Sequence, residues 1–317
     1  MSEDKFRLVT QYSFDGLVCA VLLRELELID DVAFIHPNDM QDGKTVITGR
    51  DITASLPYAE GVHLAFDHHL SEAERFEHSR TRWREDRSNL IIDTAAPSSA
   101  RVIYRHYGGK QRFSDISEDM MQAVDRADTG DYRRADILAP KGWTLLSFLI
   151  DPRTGLGRGH NFKTSDFQFM MTMIAECRDH SIDEILKHPD VQERVDLYWL
   201  QHYDFVEQLE RCSHLEGTVV ILDLRYQDPI YVGNRFMIYA LFPSATVAIQ
   251  LVRGQDERNT VLAVRKSILN RRSLAHIGTI LLEYGGGGHD VAGTCQIDSD
   301  RVMSTLERLV KQINAAG

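Results

Sequence analysis

Cysteine is sparse in this 317-residue chain: Cys19, Cys177, Cys212 and Cys295 stand far apart. No pair has the spacing of a zinc knuckle or a redox motif, so the four are read as reduced, mostly buried thiols. Long apolar runs are missing as well. None reaches the roughly 20 residues that cross a bilayer, and no membrane partner is expected. Met1 to Arg7 are polar and charged, without the basic start and apolar run of a secretory signal, so the expected location is the cytoplasm. Positive charge is also short: 36 Lys and Arg face 47 Asp and Glu, for a formal net charge of −11. A protein that grips a long nucleic-acid duplex needs a basic face. A long duplex is therefore set aside as a partner. A small or short phosphorylated substrate remains, because one pocket with metal ions overcomes an acidic surface. There is no internal repeat and no low-complexity tract.

What is present is a hydrophobic content of 43%, enough for sizeable cores, at a length that suggests two domains. Short strand-like runs occur at Phe6 to Thr10, Val32 to Ile35, Thr45 to Thr48, His63 to Phe66 and Leu90 to Ile92. Helical periodicity follows Gly16 (Leu17, Ala20, Val21, Leu23, Leu26) and recurs over Ser98 to Tyr107 and Ser117 to Arg126. Strands alternating with helices predict an α/β fold with a parallel sheet. Its ligands would sit beyond the carboxyl ends of the strands. From Thr144 to Leu215 the pattern is helical, in short pieces and then one long helix over Val191 to Cys212. After Gly217 a smaller α/β pattern begins, with strands at Thr218 to Leu222, Ala245 to Val252 and Val261 to Val264. Helices are predicted there at Leu274 to Tyr284 and Val302 to Ile313. The expected organisation is a parallel-sheet α/β domain over 1–189, a linker helix over 190–216 and a smaller α/β domain over 217–317.

Asp67, His68 and His69 follow the apolar run Val62 to Phe66, at the carboxyl end of a predicted strand. A carboxylate beside two imidazoles suits a divalent ion such as manganese; the alternative is a polar strand end with the histidines pointing apart. Asp15, Asp51 and Asp128 lie at similar places. Each alone is more often a helix cap or a solvated turn. Together they would form a cluster able to hold one metal or two, an arrangement suited to hydrolysis at phosphorus. Gly285 to Gly288, followed by His289, is a second signal. Successive glycines permit positive φ and expose backbone N–H groups that hold anions; the alternative is a flexible turn after a helix. Arg265, Lys266, Arg271 and Arg272 form the densest basic stretch, either a fork for phosphate oxygens or a solvated turn.

These motifs together resemble the DHH phosphoesterase superfamily with its DHH-associated C-terminal domain. The resemblance rests on Tyr12 to Gly16, Asp51, Asp67-His68-His69, Ala96-Pro97-Ser98-Ser99-Ala100, Asp128-Thr129-Gly130 and Gly285 to Gly293. It implies a hydrolase of polyphosphate, short oligonucleotides or bisphosphate nucleotides, most often manganese-dependent, with magnesium or cobalt as substitutes and a homodimer as the expected assembly. By that likeness Asp15, Asp51, His68 and Asp128 would be metal ligands, with Asp51 bridging two ions. His69 and Asp67 would be catalytic, with His69 facing the phosphate. Gly286, Gly287, Gly288 and His289 would hold another part of the substrate, assisted by Arg271 or Arg272. The chain departs from the family at Gln11 and Ser13, where a histidine and an aspartate belong. Glutamine and serine are weaker ligands for manganese, so one well-formed metal site and one depleted site are expected. A single-metal hydrolase, or a second ion assisted by Asn38 or Asp39, is the leading reading. The alternative is a catalytically impaired phosphate- or nucleotide-binding protein.

Overall fold

A computed structural model describes residues 5–36, 39–40, 44–83, 88–254 and 259–317; Asn38 lies outside them. The chain forms two compact units. One comprises 1–131 with 140–196, the other 132–139 with 197–317. The stretch 190–216, expected as a linker, is therefore divided between the units at Asp196/Leu197. The single helix expected over Val191 to Cys212 is two helices, Pro189–Leu200 and His202–Arg211.

The first unit carries a five-stranded sheet, β1 (Phe6–Gln11), β2 (Ile29–Ile35), β3 (Asp51–Ala54), β4 (Leu64–Asp67) and β5 (Leu90–Ile92). Its order is β2-β1-β3-β4-β5, and every pair is parallel. The chain leaves β1 toward β2 on one side and returns to β3 on the other. The carboxyl ends of β1 and β3 therefore flank the switch point, where doubly wound sheets open a crevice. Helix α1 (Phe14–Glu25) is buried from Phe14 through Leu23, as a helix apolar on every face must be. It packs against α2 (Ser99–His106), α3 (Glu118–Thr129) and the helix Asp166–Asp179. One strand differs from expectation. Thr45 to Thr48 has no strand structure, and the strand is Asp51–Ala54 instead. A turn at Thr48 interrupts the run: Asp51 N–H donates to Thr48 O at 3.0 Å, and the Asp51 carboxylate accepts from Thr48 N and Oγ1. The polar segment Leu70–Trp83 is a helix that no apolar stripe announced.

The second unit holds a six-stranded sheet ordered β10-β11-β9-β8-β7-β6. These strands are β6 (Ser213–Glu216), β7 (Val219–Asp223), β8 (Val247–Arg253), β9 (Asn259–Lys266), β10 (Gly287–Gly288) and β11 (Ala292–Asp298). Only β7 and β8 run parallel; the other pairs are antiparallel. Val219, Ile221, Val247, Ile249, Leu262 and Val264 meet Leu281 of α4 (Ile277–Leu282) and Leu306, Leu309 and Ile313 of α5 (Val302–Ala315) in one core. The segment 132–139 is tied into this unit. Asn234 Nδ2 donates to Ile137 O at 3.1 Å, and Arg134 Nε to Ala240 O at 3.0 Å.

Candidate active site

Asp15 enters the site because of how α1 begins. Ser13 caps the helix, its Oγ accepting from Gly16 N at 3.0 Å. Gly16 is obligatory there, since a Cβ would lie 2.2 Å from Gln11 O. Helix and strand can therefore meet closely enough to hold Asp15 at the carboxyl end of β1. Its carboxylate lies against the first turn of α2: Oδ1 accepts from Ala100 N at 2.8 Å, and Oδ2 from Ser99 N at 3.3 Å. A helix N-terminus is a good partner for a carboxylate. Even so, burial and the charge of Asp128 push Asp15 up to about 6.

Asp128 stands in the last turn of α3, which Gly130 ends in the left-handed conformation with φ +63. A carboxylate at a helix C-terminus is unfavourable by itself. Arg101 fastens this end of α3 to α2 through Asp125, with Nε at 2.8 Å and Nη2 at 2.6 Å from Oδ2. Ser98 adds a hydrogen bond from Oγ to Asp125 Oδ1 at 2.7 Å while capping α2. The segment Ala96 to Ala100 thus serves the site throughout: Ala96 O faces His68 Nδ1 at 3.3 Å, and Ser99 and Ala100 hold Asp15.

Asp67 ends β4, buried, and its Oδ1 accepts from His68 N at 2.7 Å, His69 N at 3.2 Å and His69 Nδ1 at 2.6 Å. The two imidazoles stay close, with ring centroids 4.4 Å apart and planes tilted by 50°. His68 Nδ1 donates to Ala96 O, so in the neutral ring Nε2 would carry the lone pair that a metal ligand needs. Nε2 is buried with no aligned hydrogen-bond partner, although Asp128 Oδ2 is 3.0 Å away. Burial opposes charging of His68. The Asp128 carboxylate 3.0 Å away, with Asp15 and Asp67, outweighs it and raises the group to about 9. His69 is raised above the ordinary imidazole value, chiefly by its bond to Asp67.

Among the described residues two groups could hold a metal ion, Asp15-His68-Asp128 and Asp67-His68-His69. They share His68. Since Asp67 Oδ1 already takes three N–H donors, Asp15-His68-Asp128 is the better set. Two carboxylates and an imidazole with an orphaned nitrogen fit a hard or borderline divalent ion such as manganese or magnesium. Cys19 Sγ lies 3.9 Å from Asp15 Oδ1, but burial raises its pKa well above the usual value and keeps it a thiol.

Asp51 is a correction. It begins β3 rather than following a strand, so it lies at the amino edge of the sheet, about 13 Å along the strand from the site edge. There Oδ1 accepts from Arg7 Nε at 2.7 Å and Oδ2 from Thr48. The residue at the carboxyl end of β3 is Ser55, whose Oγ contacts Asp15. Gln11 Nε2 donates to Ser55 O, and Ser13 caps α1. Asp39 is paired with Lys44 at 3.1 Å.

The glycine run is also built differently from the expected nest. Gly285 N donates to Leu282 O, Gly286 N to Leu281 O and His289 N to Ala292 O. Gly287 and Gly288 form β10 against Thr294 and Gly293. Gly286 and Gly288 serve close packing against the backbone of β11 and its approach. A Cβ at Gly288 would lie 2.2 Å from Ala292 O, and one at Gly278 2.5 Å from Gly288 O. Gly288→Ala, which also meets a φ of +153, is expected to cost about 2 kcal/mol or more. Urea denaturation with a reporter in the second unit checks this. Arg271 and Arg272 are exposed in the loop after β9.

A doubly wound α/β domain with acids and a histidine gathered at the carboxyl ends of its strands offers a divalent-ion site of the kind that metal-dependent hydrolases of phosphate esters use. No family model matches the chain, and no curated protein matches it. Among solved structures, it is similar to a pGpG-specific phosphodiesterase, PggH from Vibrio cholerae, at 48% identity over 99% of this chain and 100% of that one, with a TM-score of 0.83. RecJ from Thermus thermophilus, solved with Mn2+, shares the fold at 14% identity; the match covers 98% of this chain and 52% of that one, with a TM-score of 0.54. The chain belongs to the DHH phosphoesterase superfamily.

Proposed function

We propose that this protein hydrolyses the phosphodiester of a short linear dinucleotide, pGpG or a close analogue, to mononucleotides. The observation that carries the reading is the full-length 48% identity to a pGpG-specific phosphodiesterase, joined to an acid and histidine cradle of the right chemistry. Asp15, His68 and Asp128 would hold one divalent ion, manganese by preference, with magnesium or cobalt as substitutes. When bound there, such an ion would supply Lewis acidity at the phosphate and lower the pKa of a water molecule. His69, oriented by Asp67, would donate through Nε2 to a phosphate oxygen as charge develops. The second unit would bind the rest of the substrate, through His289 on its glycine hairpin with Arg271 and Arg272. The net charge of −11 favours a short substrate over a long duplex. No helix among the described residues is long and apolar enough to cross a membrane, which accords with work in the cytoplasm.

The test is a substrate panel with manganese: pGpG, longer oligonucleotides, a 3′,5′-bisphosphate nucleotide and polyphosphate, read as mononucleotide or phosphate released. Preferential conversion of pGpG to GMP supports the reading. Binding of pGpG without turnover under manganese, magnesium or cobalt would overturn it in favour of a nucleotide-binding protein.

A further inference from the structure

Ser55 ends β3 in the left-handed region, at φ +56. A residue other than glycine is seldom held there without a reason, and such strain gathers at functional sites. Ser55 is 6% exposed and clamped on every side. Its N–H donates to Phe66 O at 3.1 Å, and its carbonyl accepts from Gln11 Nε2. Its Oγ reaches Asp15 Oδ2 and also stands 2.7 Å from Ser99 Oγ.

A hydroxyl has one proton to give, and an ionised carboxylate has none. The direction of the chain follows: Ser99 O–H donates to Ser55 Oγ, and Ser55 O–H donates to Asp15 Oδ2. Ser99 is fully buried, so water does not substitute for it. With Ser99 N and Ala100 N, the Ser55 hydroxyl fixes the carboxylate plane of Asp15 from behind. The unusual backbone angle is what turns Oγ back toward Asp15 at the end of the strand.

We infer that Ser55 is a positioning residue for the divalent-ion site, setting Asp15 in the orientation that lets it ligate together with His68 and Asp128. The inference rests on the phosphodiesterase reading for its consequence in turnover, but its test is direct metal binding. Mn2+ is titrated calorimetrically into the full-length wild type, Ser55→Ala and Ser55→Gly, and Co2+ absorption spectra are recorded on the same proteins. Loss of an outer hydrogen bond to a ligand typically weakens metal affinity about 10–100-fold. Both variants are expected to show that loss with an altered Co2+ spectrum.

The two variants separate the hydroxyl from the backbone. Glycine adopts φ +56 freely, so Ser55→Gly lacks the hydroxyl without strain and decides the matter if Ser55→Ala does not fold. Mn2+ affinity within twofold of wild type in Ser55→Gly overturns the inference, whatever happens to the melting temperature. A wild type that binds Mn2+ but leaves pGpG intact overturns the substrate reading alone, and the isotherms of the variants still judge Ser55.

Discussion

Replacing His68 with alanine is expected to abolish stoichiometric Mn2+ binding and to lower pGpG hydrolysis on the order of a thousandfold or more, with the fold intact. The argument is one of geometry and charge. His68 Nε2 is buried without an aligned partner, its tautomer set by Ala96 O. It is the residue common to both ligand groups, so neither survives its loss. Alanine also takes the cationic partner from Asp128 and the buried Asp15, so stability should fall while circular dichroism below the melting transition stays native. Calorimetric Mn2+ titration and GMP release are the measurements. Turnover within tenfold of wild type would sink the proposed site.

Mn2+ affinity is expected to climb steeply with pH, about tenfold per unit between pH 6 and 8. His68 has its folded-state value raised to about 9 by Asp128, against burial. An ion that ligates through Nε2 must displace that proton, so each unit below 9 weakens binding by a factor of ten. Below about 6, Asp15 also carries a proton, because burial and Asp128 raise it, and the dependence steepens. Isotherms at pH 6, 7 and 8 and constant ionic strength check this, with about one proton released per ion in buffers of differing ionisation enthalpy. A flat affinity over that range would contradict it. The metal-free protein should behave in the complementary way. The raised His68 contributes stability that is complete below pH 6.5 and lost as pH rises through 9. The bound on that loss is about 3 kcal/mol. In EDTA the melting temperature should therefore fall across that window, and saturating Mn2+ should abolish the fall.

Much of the site was legible because strand ends in a parallel sheet announce themselves. Asp67-His68-His69 stands at the end of an apolar run, and β4 does end at Asp67. Asp128 was placed at the end of a helical segment, and it does stand in the last turn of α3. Asp51 was misread because the apolar residues Val46 and Ile47 imitate a strand. The strand lies a few residues later, and that shift moved the acid from one edge of the sheet to the other. The same shift hid Ser55. Nothing in a lone serine after Ala54 signals a positive φ or a contact with a residue 40 positions away. The glycine run promised exposed N–H groups, but their partners, Leu281, Leu282 and Ala292, are chosen by the path of the chain.

By itself, then, the sequence determined the α/β class, the family resemblance and the histidine pair at the end of β4. Those depend on periodicity and on neighbours within a few residues, where hydrophobic alternation and capping chemistry act directly. The tertiary structure alone decided which acids stand together. That choice turns on strand order and register, and these bring Asp15, His68 and Asp128 together while leaving Asp51 to Arg7. Carboxylates of identical chemistry become ligand or ion-pair partner according to which end of a parallel strand carries them, because only one edge of the sheet opens at the switch point.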